Sequence, residues 1–176
     1  MRAIAISRSW IKDAAVGIGA SLIVALCAPI AICLPFTPIP VVIQLQVILL
    51  LSAILGPRRG VWMVSAFLMQ GAMGLPVFAA GASTIGTLIG PRGGYLAGYL
   101  IAAYVVGRLY QKNNLFLSMI AGNGVVYICG FAWLSQFIGM ERAFQLGIVP
   151  FILGDFIKVT LFALPQRFWN RVGALV

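Results

Sequence analysis

Histidine is absent from this 176-residue chain, and acidic residues number only three. The first absence removes the commonest general base and metal ligand. The second leaves no acidic cluster on which an intramembrane hydrolase could be built. No HExxH motif occurs, and no P-loop signature (GxxxxGK followed by Ser or Thr), so the chain does not bind ATP in that way. Cysteine is scarce: Cys27, Cys33 and Cys129 are scattered with no CxxC spacing, which argues against metal or redox chemistry and makes buried structural thiols the default. Charge of either sign is sparse, at 9% of residues.

What fills the chain instead is apolar: 62% of residues, with a mean hydropathy of +1.06. Soluble domains carry about 45–50% apolar and about 25% charged residues. The composition therefore describes an integral membrane protein, a single membrane domain over residues 1–176. The formal charge of +9 does not point to nucleic acid, because the basic residues punctuate the ends of apolar segments rather than forming one solvated patch. Arg2, Arg8 and Lys12 precede the first apolar stretch, which at about 20 residues is longer than a signal-peptide core. Ile32 stands before Cys33, where a processing site would want a small residue, so the stretch reads as a retained helix.

Length, Gly/Pro breaks and charge predict an all-α bundle of six transmembrane helices at about 13–32, 41–55, 61–73, 94–111, 115–137 and 147–168. Nothing alternates with period two, and backbone groups in lipid need internal partners, which leaves a helical bundle as the class. Alternating sides puts Arg2, Arg8, Lys12, Arg58, Arg59, Arg108, Lys112, Arg167 and Arg171 together, with only Arg92 and Arg142 opposite. The positive-inside rule then places both termini in the cytoplasm. Two outer connections stand out. Leu34–Pro40 carries three prolines, which favour a stiff extended segment. The connection from Met73 to Gly93 is long, apolar and rich in small residues, suiting a lid or ligand wall, or else a surface loop packed on the bundle.

The sharpest functional signal is Asp155 with Lys158, inside the apolar run Phe151–Leu164. An ion in hydrocarbon costs about 2.5–3.5 kcal/mol even on insertion scales, so such residues mark ligand, ion or proton sites. At i, i+3 the two share a helix face and can pair. An ionised Asp155 offers only acceptors, which suits a ligand with N–H donors, while Lys158 offers three donors. An inert pair bracing the bundle is the competing reading. Gln44 and Gln46, Asn123 and Tyr127, and Tyr95 and Tyr99 could line a polar pocket or simply bridge helices. Gly17, Ser21 and Ala25 form a small-residue stripe on the first helix, a candidate docking face for a partner subunit. The stripe Gly94, Gly98 and Ala102 on the fourth is explained by packing within the chain.

Five segments, in order and in register, carry a family resemblance: Pro35-Phe-Thr-Pro-Ile-Pro-Val-Val-Ile-Gln44, Leu55-Gly-Pro-Arg-Arg-Gly60, Gly74-Leu-Pro-Val-Phe-Ala79, Gly90-Pro-Arg-Gly-Gly-Tyr95 and Gly154-Asp-Phe-Ile-Lys158. The chain resembles the BioY family, the biotin-specific S components of energy-coupling factor transporters. The resemblance implies a biotin site near the outer face, roofed by the two outer loops, and no enzymatic activity or cofactor. It implies Asp155 and Lys158 as polar anchors, with Tyr95 and Gln44 as pocket positions; Phe78 would add an aromatic wall. It also implies a transmembrane coupling component and cytoplasmic ATPases as partners, met through small residues of the first helix. Val42, Ala80–Thr84 and Arg92 depart from the usual family pattern; Arg92 either meets the biotin carboxylate or sits among lipid headgroups. A stand-alone carrier, a binder of another vitamin and a non-transport structural subunit are the competing readings.

Overall fold

A computed structural model describes residues 2–32, 35, 38–166 and 169. Among the described residues the regular structure is helical apart from one two-stranded ribbon: α1 (Arg2–Leu26), β1 (Ala31–Ile32), β2 (Val41–Val42), α2 (Gln44–Leu55), α3 (Pro57–Ala72), a 3-10 turn (Ala79–Gly81), α4 (Ile85–Ile89), α5 (Gly93–Leu109), α6 (Leu115–Ile138), α7 (Met140–Gly147) and α8 (Val149–Ala163). The six expected segments fall on α1, α2, α3, α5, α6 and α8, with several ends displaced: α1 already runs from Arg2 and α3 from Pro57. The first and second do not run on to Ile32 or start at Val41, because Pro29, just past the end of α1, cannot continue it, and the chain pairs instead as an antiparallel ribbon, Ala31 opposite Val42. The last starts at Val149, because residues 140–147 form a separate short helix and Ile148 breaks the axis at φ −124°, ψ −58°. Arg167 and Arg171, Cys33, Leu34, and Phe36 and Thr37 of the proline segment lie outside the described residues.

Local chemistry sets most boundaries. Gly56 (φ +84°) lets the chain reverse between α2 and α3, and Pro57 opens α3 where a missing N–H costs nothing. Asn114 caps α6 by accepting from the Leu117 N–H at 2.8 Å. Close packing relies on glycine: a Cβ on Gly94 or Gly98 of α5 would run into Trp133, Cys129 or Val126 of α6. This is the intramolecular packing anticipated for that stripe. The core, with Ile48, Leu49, Met63, Phe67, Val106, Met119, Leu134 and Val159 fully buried, runs through α2, α3, α5, α6 and α8.

The exterior is no less apolar: Leu22, Leu26, Ile128, Leu153, Phe156 and Leu161 are all more than half exposed. A surface of this kind suits lipid rather than water. Among the described residues, Leu115–Ile138 and the kinked run Met140–Ala163, each 24 residues, are long and apolar enough to cross a bilayer.

Candidate functional site

The site is built where α8 faces α5, α6 and the start of α2. Asp155 stands in the second turn of α8, oriented by Pro150 and the axis break at Ile148. Its side chain is 8% exposed, and Oδ1 pairs with the Lys158 ammonium at 2.5 Å. Oδ2 accepts a hydrogen bond from the Tyr127 hydroxyl of α6, also at 2.5 Å. A carboxylate has roughly four lone-pair positions, so two donors hold it in place and still leave capacity for a third. Lys158 also donates to the Val42 carbonyl at 2.9 Å, which ties α8 to the base of the proline segment.

Above this triad lie two adjoining pockets that share Ile39, Pro40, Val42, Tyr95 and Tyr99. One lobe adds Tyr127, Phe151 and Asp155. The other adds Gln44, Phe78, Thr87 and Arg92. The walls are thus aliphatic and aromatic with a few placed polar groups, a carboxylate at one end and a guanidinium at the other, as small-molecule sites commonly are. Among the described residues no three His, Cys, Asp or Glu side chains converge as a metal site would require.

Each residue singled out from sequence has a definite place. Tyr95 is buried against Gly130 of α6, which has no Cβ to push its ring away, and its hydroxyl donates to the Gly147 carbonyl at 2.9 Å. Arg92 sits at the start of α5 and its Nε donates to the Pro38 carbonyl at 3.1 Å. The proline segment is therefore held by two cations, Arg92 at Pro38 and Lys158 at Val42. Phe78 is buried edge-on to Phe67, centroids 5.3 Å apart, over Gly71 of α3. It fixes the long connection from Met73 to Gly93 as a wall of the second lobe, helped by Thr84 N–H to Gly71 O (2.8 Å) and Trp133 Nε1 to the Gly90 carbonyl (3.0 Å).

Gln44 borders the second lobe, but its amide nitrogen is spent on the carbonyls of Val24 and Val77, both at 2.9 Å. It buckles α1 to the long connection. The stripe Gly17, Ser21 and Ala25 is turned toward α3, not outward. A Cβ at Gly17 would strike Trp62 and the backbone at Met63; the Ser21 hydroxyl donates to Ile18 O and accepts from Gln70; Ala25 packs against the core. Small residues here let α1 approach α3 closely. Gln46 and Asn123, which could have lined a pocket, bond each other deep between α2 and α6 at 3.0 Å.

Tyr127 and Tyr99, which on spacing alone could line a pocket or bridge helices, both border the first lobe. The signal for Tyr127 was its i, i+4 spacing from Asn123, with no cue that Asp155 would be its acceptor.

Residues 2–174 match the model of the BioY family. The chain is 36% identical to the probable biotin transporter BioY of Pyrococcus horikoshii, covering 69% of this chain and 74% of that one. It is 36% identical to the biotin transporter BioY of Thermotoga maritima, covering 76% and 82%. The fold matches the crystal structure of the S-component for biotin from an ECF-type ABC transporter with a TM-score of 0.80, at 24% identity over 93% of each chain. Matched by the family model from residue 2 to residue 174 and by relatives at 36% identity, this protein belongs to the BioY family.

Proposed function

We propose that this chain is the biotin-binding S component of an ATP-driven vitamin importer, spanning the cell membrane six times with both termini in the cytoplasm. The observation that carries the reading is Asp155: a nearly buried carboxylate, held by Lys158 and Tyr127, bordering an apolar cavity. Biotin matches it chemically, with a ureido ring bearing two N–H donors, an apolar thiophane and tail, and a terminal carboxylate. A ureido N–H meets Asp155, the thiophane lies against Tyr95 and Phe151, and the tail runs toward Phe78 and Arg92. The names of the relatives support the same ligand.

The protein itself is not an enzyme. ATP hydrolysis belongs to separate cytoplasmic ATPases, reached through a transmembrane coupling component. Calorimetry on detergent-purified protein with biotin, desthiobiotin and unrelated vitamins tests the proposal. Saturable binding of biotin alone or with desthiobiotin is expected; no binding of either overturns it and leaves the Asp155–Lys158 pair as bundle bracing.

A further inference from the structure

The lobe that borders Asp155 contains three tyrosines, and two of their hydroxyls are committed. Tyr95 donates to the Gly147 carbonyl and Tyr127 donates to Asp155. Tyr99 is different. It lies one turn below Tyr95 on the same face of α5, is 7% exposed, and lines both lobes at their junction. Among the described residues its hydroxyl has no hydrogen-bond partner, and it is not among the side-chain atoms sealed off from all accessible space. A buried O–H without a partner is costly, so one that opens onto a cavity is poised for something that enters it.

We propose that Tyr99 is a ligand-contacting, specificity-determining residue whose hydroxyl donates to the carbonyl oxygen of the ureido ring. This rests on the biotin reading above. In a cyclic urea the carbonyl oxygen sits beside each N–H on one edge, so a site that accepts from an N–H through Asp155 meets the oxygen within the same lobe. Every other polar side chain lining that lobe is an acceptor or already donating: Asp155 accepts, and Tyr95 and Tyr127 are engaged. The Lys158 ammonium is drawn between Asp155 and Val42. Tyr99 therefore supplies the uncommitted hydroxyl, and it reads the oxygen that distinguishes a urea from analogues with a poorer acceptor.

The test is calorimetry with the full-length protein and two ligands, biotin and 2-thiobiotin, whose ring oxygen is replaced by sulfur, a weak acceptor. Wild type should prefer biotin by about tenfold, and Tyr99→Phe, which removes only the hydroxyl, should bind biotin about tenfold more weakly and lose most of that preference. Equal loss for both ligands, or unaltered biotin binding by Tyr99→Phe, overturns the assignment while leaving the biotin reading intact. The wild-type comparison stands without the variant: no preference for biotin over 2-thiobiotin also overturns it. Failure of wild type to bind biotin at all would instead defeat the underlying function, and this assignment with it.

Discussion

Tyr127 and Asp155 are 28 residues apart on different helices, and the phenol of one donates to the carboxylate of the other at 2.5 Å. The bond joins α6 to α8 at the floor of the cavity and fixes which way the carboxylate faces. A hydrogen bond to a charged group contributes about 1.5–3 kcal/mol. Tyr127→Phe should therefore weaken biotin binding, by up to roughly a hundredfold, with little change of fold. Titration calorimetry beside a thermal melt separates the two effects; wild-type affinity in a folded variant would deny Tyr127 this positioning role.

Asp155→Asn keeps size but replaces an acceptor-only group with a neutral one that is half donor. Binding should fall about tenfold to a hundredfold. The same change leaves the Lys158 ammonium, 18% exposed, without its counter-charge, so the melting temperature should drop as well. Lys158→Met keeps the apolar stem, costs similar affinity and frees the proline segment at Val42. If both variants are folded and bind biotin like wild type, the pair is only structural.

Arg92 uses its Nε on the Pro38 carbonyl, and among the described residues no further partner occupies its terminal nitrogens. A carboxylate could be met there in a bidentate fork. Arg92→Gln should weaken binding of biotin far more than binding of its neutral amide. An equal effect on both ligands assigns Arg92 to holding the loop or meeting headgroups.

Gly17→Leu adds bulk where α1 touches Trp62 and Met63. Overpacking typically costs about 1–3 kcal/mol, so the variant should melt several degrees lower, with loss of binding following loss of fold. An unchanged melt with loss of a co-purifying coupling subunit would return the stripe to a docking role.

Topology is open to cysteine-accessibility labelling. Positions beside Arg58 and Lys112 should label from the cytoplasm and those beside Ser83 from outside. External labelling at Arg58 would reverse the orientation and move the cavity to the wrong face.

The sequence was most legible where a residue was out of place for its surroundings. Asp155 and Lys158 are conspicuous in an apolar run, and their spacing alone makes them neighbours. The all-helical class was readable for the same reason, since long apolar runs broken by Gly and Pro leave few alternatives. What could not be read was direction. The faces of α1 are similar in composition, so the stripe at Gly17 could look inward or outward, and only the contact with α3 decides. Gln44 carries the same amide whether it meets a ligand or two carbonyls, Val24 and Val77, that are distant in sequence. Tyr99 and Tyr127 share that ambiguity. The short α7 was hidden because Ile148, an unremarkable letter, is where the helix axis breaks.

The amide pair between Gln46 and Asn123 has a consequence for assembly. Apolar helices slide past one another in lipid with little penalty, since leucine against leucine looks much like leucine against an acyl chain. Two buried amides do not slide freely. Any rotation or slip of α2 against α6 strands the Gln46 amide and the Asn123 carbonyl oxygen, at about 1–3 kcal/mol for each group left unpaired, while the Asn123 nitrogen keeps its bond to Met119 O. The pair thus acts as a register key, penalising near-miss bundles and fixing how α2 meets α6 before any ligand is there to help.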